Sequence, residues 1–213
     1  MSIVLYHARV DASTLEALQA NSELFWELPK DPAPGGVQQL FTDKDWAALC
    51  WLLSAKAREE QKHDVVVHAL SSKRNDRAGD ESREAWAAAK EQEAAKRGFQ
   101  LVDTKSMPDE PALIAIQGRG PEERRLPEFG LHAQIFVPDE VSALSAALDR
   151  IADADLREHF DPQVMESFDV AGILWTEEDA DVFEKILVPV FERIRVLFRL
   201  AAQAGQHIVV VIT

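Results

Sequence analysis

An α+β fold, a small mixed or antiparallel sheet packed by several helices with a long C-terminal helix followed by a terminal strand, is predicted for this 213-residue chain by three observations. Short β-branched segments open and close the chain, several internal segments carry apolar residues at helical spacing, and proline- and glycine-rich stretches separate them. The length suffices for a substantial core and makes one domain over residues 1–213 the default. With 46% apolar and 28% charged residues, the composition is that of a folded globular protein.

Ser2 to Val10 reads as a strand, and Ser13-Thr14-Leu15-Glu16 offers the Ser and Glu of a capping box for a short helix reaching Ala20. Pro29 to Gly36, with three prolines and two glycines, is a loop. Thr42 or Asp43 then caps a helix in which Trp46, Leu49, Cys50 and Leu53 fall on one apolar face. Val65 to Leu70 reads as a buried strand. Lys73 to Arg97, with seven basic and six acidic residues among alanines, reads as an exposed helix stopped by Gly98. Leu113 to Gln117 is a further strand candidate, Gly118 to Gly130 a surface loop, and Ile135 to Val137 a short strand.

Pro138 suits a first helical turn, Asp139 and Glu140 complement the helix dipole, and Val141, Leu144, Leu148 and Ile151 form the buried stripe. Asp153 and Asp161-Pro162 each open a short helical piece between Ala152 and Phe168. Thr176 with Glu177, Glu178 and Asp179 forms an acidic cap for the longest helix, whose apolar face runs from Val182 to Leu200 and stops at Gly205. Pro189 lies inside it and should kink it, because an interior proline costs roughly 3 kcal/mol. His207 to Ile212 closes the chain as a strand. The sheet is therefore expected to use Ser2 to Val10, Val65 to Leu70, Leu113 to Gln117 and His207 to Thr213, under the helices that start at Asp43, Pro138 and Glu177.

Charge narrows the functional classes. The formal net charge is −14, and Asp139 to Glu184 holds 14 Asp or Glu against two Arg, a balance of −12 within 46 residues. Such a chain repels nucleic-acid backbones and anionic lipid, so neither is expected as a partner. No apolar run approaches the ~20 residues that span a bilayer, and the N-terminus carries no readable signal or transit peptide. A single cysteine, Cys50, excludes an internal disulfide and fits a reducing, cytoplasmic setting.

Candidate chemistry is sparse. Asp155, Glu158, His159 and Asp161 are the best metal-like cluster, since Asp155 and His159 lie one helical turn apart, but a helix C-terminus followed by an Asp-Pro cap accounts for the same residues, and no metal or cofactor is assigned. His63 and His68 are five apart and align on neither a strand nor a helix. Cys50 sits on a core face with no activating histidine placed beside it. Gly118-Arg119-Gly120 with Arg124 and Arg125 is the one conceivable anion loop, although it lacks phosphate-loop spacing and its lysine. Nucleophile elbows, zinc-ligand cysteine spacings and dinucleotide glycine fingerprints are absent, which leans against an enzyme.

The order of pieces carries a resemblance. The N-terminal strand with the Leu15 to Leu18 helix, the helix start Asp43-Lys44-Asp45-Trp46-Ala47-Ala48-Leu49, and the segment from Val137-Pro138-Asp139-Glu140-Val141 through Leu156-Arg157-Glu158-His159-Phe160-Asp161-Pro162 and Gly172-Ile173-Leu174-Trp175 to the last strand are similar to the bacterial YfbM-like family, domain of unknown function 1877. About two thirds of the chain takes part, and residues 56–108 look like an insertion relative to shorter members. Members commonly carry a Gly-Pro-Ala-Arg-like segment where this chain has Gly130-Leu131-His132-Ala133-Gln134, so no role for that arginine transfers. The resemblance implies a compact α+β fold and supplies no reaction.

Two functional expectations follow. The first is a non-catalytic interaction protein whose acidic surface, with Glu177, Glu178, Asp179 and Asp181, binds a basic protein partner, as an immunity-type inhibitor of a bacterial toxin would. The alternative is a small-molecule or hydrolytic site lined by Arg119, Arg124, His132 and His159. Well-capped helices in an acidic protein would explain the charge without either.

Overall fold

A computed structural model describes residues 4–30, 38–62, 110–118, 126 and 133–212. The expected strand at Val65 to Leu70, the charged helix at Lys73 to Arg97 and most of the 56–108 segment lie outside the described residues, as does most of the Pro29 to Gly36 loop.

Among the described residues, four strands form one antiparallel sheet: β1 (Leu5–Val10), β2 (Gln39–Thr42), β3 (Ala133–Phe136) and β4 (His207–Ile212), in the order β2-β1-β4-β3. The C-terminal strand is thus central, pairing Leu5 with Ile212 on one side and Phe136 with Ile208 on the other. Alternation assigns the faces. Leu5, His7, Leu40, Ile208, Val210 and Phe136 point to the larger core, while Ala8, Val10, Val209, Val211 and Ala133 point to a second one.

The second core is closed by α1 (Ala12–Ala20), by a 3₁₀ segment, Ser22–Glu27, that contributes Phe25, and by Leu126. The cap of α1 is Asp11, whose carboxylate accepts from Thr14 N at 2.7 Å and from Ser13 Oγ at 2.9 Å, so the cap lies two residues before the Ser13 expected for it. Strand β2, unforeseen in the sequence, is a four-residue edge.

On the larger core lie α2 (Asp45–Leu53), α3 (Pro111–Gln117), α4 (Pro138–Leu148), α5 (Asp153–Arg157), α6 (Pro162–Ser167) and α7 (Val188–Ala204). Leu113 to Gln117 is therefore helix and not strand. Pro111 opens it, Gly118 closes it in a left-handed cap, and Leu113, Ala115, Ile116 and Gln117 are all buried. A short apolar run buried on several sides has no period to distinguish the two states. The Pro138 helix begins as expected, with Glu140 Oε2 accepting from Val137 N at 3.1 Å. Asp155 closes the start of α5 through Ala152 N at 2.7 Å, and Asp161 caps α6 through Gln163 N and Val164 N.

The last helix differs from expectation at its start. Thr176 is not its cap: residues 175–181 form turns, and helix begins at Val182 with a π-helical segment, Phe183–Leu187, that passes into α7. A π-helical segment precedes Pro189, where a kink was expected. Proline has no N–H to give, and the wider turn, closed by Val188 N–H to Phe183 O, places Pro189 in the first turn of α7, where a missing donor is tolerated. From there Val190, Phe191, Ile194, Leu197, Phe198 and Ala201 are buried against α4 and the sheet.

Between α6 and the turn that follows, Asp169, Ala171 and Gly172 all have positive φ. For Ala171, at φ 61°, the left-handed conformation has no polar side chain to offset it and costs roughly 1 kcal/mol. Ala171→Gly is expected to raise stability by up to about 1 kcal/mol in urea unfolding, less the entropy that glycine adds to the unfolded chain. A loss of stability would mean that the Ala171 methyl contributes more by packing than its backbone costs.

Candidate functional site

The strained turn supports an aromatic cluster. Trp175 is buried, and its Nε1–H donates to Val170 O at 2.8 Å. Phe160, three residues past α5, meets Trp175 edge-on at 6.3 Å and Phe183 at 5.0 Å. Helical residues 55–62 brace the turn from behind, where Gln61 Nε2 donates to Phe168 O at 3.0 Å and Asp169 O at 3.3 Å.

Phe160, Trp175, Pro162 and Val182 floor a cleft of about 540 Å³, and Asp161, Glu178 and Asp179 stand at its rim. Thr176, also lining it, is fixed by Glu166, which accepts from Thr176 N at 2.8 Å and from its hydroxyl at 2.6 Å; these bonds hold the Glu166 carboxyl below its ordinary range. Asp161 commits Oδ1 to the cap of α6, which leaves Oδ2 outside that bond. The acidic face continues onto the start of α2. Burial first, then Asp43 and Glu178, push the Asp45 carboxyl above its usual value.

The acidic residues of Asp139 to Glu184 divide into two groups. Several are internally compensated: Asp149 pairs with Arg199 at 2.6 Å, Glu184 with Arg157 at 2.8 Å, and Asp181 with Lys185. Glu177, Glu178 and Asp179 are exposed and make no ion pair among the described residues. Of the four residues expected to bind a partner, Glu178 and Asp179 thus line the cleft, Glu177 lies on the same turn, and Asp181 is partly neutralised. The aromatic floor is what sequence reasoning missed, since Phe160 and Trp175 are fifteen positions apart in the chain.

A second cleft, about 720 Å³, lies among α2, α3, α4 and α5 and includes Glu110, Arg150, Asp155, Glu158 and His159. Of the alternative site residues, His159 is here, whereas Arg119, Arg124 and His132 lie outside the described residues. His159 Nε2 is 3.3 Å from an Arg58 guanidinium nitrogen, which as an obligate donor assigns the imidazole proton to Nδ1. Arg58 also donates to Trp51 O at 2.8 Å and Leu52 O at 3.2 Å, closing the end of α2. Burial lowers its pKa, against the pull of Glu110, Glu59 and Glu158. Asp155 is held by the α5 start, and Glu110 accepts from the buried Ser54 hydroxyl at 2.9 Å. Arg58 and Asp155 are thus engaged at helix ends, and Glu110 at Ser54.

Among the described residues, no three His, Cys, Asp or Glu side chains are grouped to hold a metal ion. Asp155, Glu158 and His159 share the second cleft while Asp161 is in the first. Cys50 is buried, and His63 and His68 lie outside the described residues. No helix among the described residues is long and apolar enough to cross a membrane.

Comparison with known proteins places the chain by fold and not by activity. Residues 120–211 match the family model described as domain of unknown function DUF1877. The crystal structure of YfbM from Escherichia coli, a protein of unknown function, is similar with a TM-score of 0.54 at 12% identity, over 99% of this chain and 99% of that one. At that identity the likeness concerns the fold alone. No curated protein matches.

Proposed function

We infer that this chain, a YfbM-like protein with its DUF1877 match over residues 120–211, is a non-catalytic interaction protein that binds a basic protein partner through its acidic face. The observation that carries it is the exposed run Glu177, Glu178 and Asp179, which makes no ion pair among the described residues. Exposed like charge supplies long-range attraction and selectivity for a cationic partner. Immunity-type inhibition of a cationic toxin in the cytoplasm is the role such a surface would fill. Nucleic acid and anionic membranes are disfavoured by a net charge of −14.

The test is capture from a lysate of the source cells on immobilised wild type and on the variant Glu177→Lys/Glu178→Lys/Asp179→Lys/Asp181→Lys, each at low and high salt. A basic protein retained by wild type at low salt should be lost at high salt and absent from the variant. Circular dichroism should show the variant folded, because surface charges of this kind change stability by about 1 kcal/mol or less apiece. Identical retention on both baits at both salt concentrations would reduce the acidic face to a solubility feature.

A further inference from the structure

We propose that the exposed aromatic face formed by Tyr6, Trp26 and Phe41 anchors an apolar side chain of that basic partner, an assignment that rests on the acidic face being the partner surface. Tyr6 and Phe41 are cross-strand partners on β1 and β2, so the pleat places them on one side of the sheet. Their ring centroids are 5.1 Å apart, and Trp26, from the 3₁₀ segment, meets Tyr6 edge-on at 5.0 Å. Phe25 is fully buried in the second core and braces Trp26 at 5.1 Å. Phe41 is nevertheless 47% exposed and Trp26 38%. Scattered apolar side chains at a surface need no partner, but these rings touch one another, and fixed rings add apolar area on binding with little side-chain freedom left to lose.

Charge selects the occupant. Glu23 and Glu27 lie on either side of Trp26 in the chain, and Asp43 follows Phe41 by two residues; all three are exposed and make no ion pair among the described residues. After burial, which dominates, Asp43 and Glu178 both push the Asp45 carboxyl up, so the acidic face of residues 177–179 continues through the start of α2 towards Phe41. A second copy of this chain, at −14, would set like charge against like across the rings, whereas a cationic partner meets carboxylates beside them. The occupant is therefore an apolar side chain with cationic neighbours, the apolar group on the rings and the cations at their rim.

The test titrates the full chain with three acetylated, amidated peptides, Arg-Leu-Arg-Leu-Arg, Arg-Gly-Arg-Gly-Arg and Glu-Leu-Glu-Leu-Glu, reading the Trp26 indole ¹H–¹⁵N signal, assigned through Trp26→Phe. The first should shift that signal saturably, the second should bind about ten-fold more weakly for want of an apolar group, and the third should leave the signal in place. Phe41→Ser, at an exposed position, should weaken the first response about five-fold with the other indole signals unchanged. Glu23→Gln/Glu27→Gln/Asp43→Asn should weaken it as well and flatten its salt dependence. The assignment is overturned by no shift with the first peptide, by equal affinity for the first two, or by a Trp26 signal that moves with protein concentration before any peptide is added, the mark of a second copy on the rings. The two proposals fail separately: capture that depends on the four-residue reversal with no Trp26 response retains the acidic face and removes the aromatic anchor. A Trp26 response with capture indifferent to the reversal does the opposite.

Discussion

Gly118→Ala is expected to destabilise the protein by about 2–4 kcal/mol, a fall in melting temperature on the order of 10 °C for a chain of this size. Two costs combine. Gly118 closes α3 at φ 63°, and a Cβ there would meet Val210 Cγ1 at 2.3 Å and Val210 Cβ at 2.6 Å. Val210 is fully buried on the central strand, between His7 and Gln134, so neither partner can retreat into solvent. Gly205 separates the two costs: at φ 61° a Cβ there would have nothing within 4 Å, so Gly205→Ala should cost only the left-handed backbone penalty of about 1 kcal/mol. Val210→Ala removes the Cγ1 contact but not the Cβ one, so the pair with Gly118→Ala should cost less than the sum of the two single changes, a coupling that a double-mutant cycle measures. Equal losses at the two glycines would show that α3 is not seated on the sheet as closely as described.

Acidification from pH 6.5 towards 4 is expected to remove up to about 3 kcal/mol of stability through His7 alone. His7 is fully buried on β1, donates from Nε2 to Ala115 O at 3.1 Å, and faces the Phe198 ring at 6.4 Å. Its Nδ1 has no hydrogen-bond partner among the described residues. Burial lowers its pKa from 6.5 to about 4, against smaller opposing contributions from the Ala115 and Ile116 backbone. In that window the unfolded chain takes up a proton that the native state refuses, so the unfolded state is favoured as pH falls and stability is restored as pH rises through 6.5. Carboxylates titrate in the same range, and the variant isolates the histidine. His7→Gln keeps a donor for Ala115 O without titrating, and its stability relative to wild type should therefore improve by about 3 kcal/mol between pH 7 and pH 4. Parallel pH curves would mean that His7 is charged, or solvated, in the native state.

The same burial explains what could be read from the chain and what could not. β1, α1, α4, the paired short helices α5 and α6, and the terminal strand β4 carry their own local signals: alternation, a proline in the first turn, or an aspartate cap. Leu113 to Gln117 carries none, because a helix enclosed by α2, α4 and the sheet loses its polar stripe and looks like a buried strand. β2 owes its existence to pairing with β1, a non-local cause that four residues cannot announce. Thr176 has the local chemistry of a cap, but Glu166, ten positions earlier, takes its hydroxyl and its N–H, and helix starts six residues later, at Val182.

For the candidate site, the acidic half was legible as charge and the cleft was not. Counting gives the −12 of Asp139 to Glu184, yet only the structure shows that Glu184, Asp181 and Asp149 pair with Arg157, Lys185 and Arg199 while Glu177, Glu178 and Asp179 remain unpaired among the described residues. Phe160 and Trp175 each read as ordinary core aromatics. Their meeting depends on the 169–172 turn, where Ala171 takes a conformation that its residue type does not signal. Strain of this kind, held by neighbours at a surface cleft, is where backbone conformation and function most often coincide.

The kinetics of association with the captured partner test the acidic face most directly. The association rate should fall steeply with ionic strength while the dissociation rate changes little, because exposed charges are screened beyond about 8 Å at physiological salt whereas buried anchors are not. The Glu177→Lys/Glu178→Lys/Asp179→Lys/Asp181→Lys variant should flatten or invert that salt dependence. An association rate indifferent to salt, and equal for wild type and variant, would contradict the central claim that the acidic face recognises its partner.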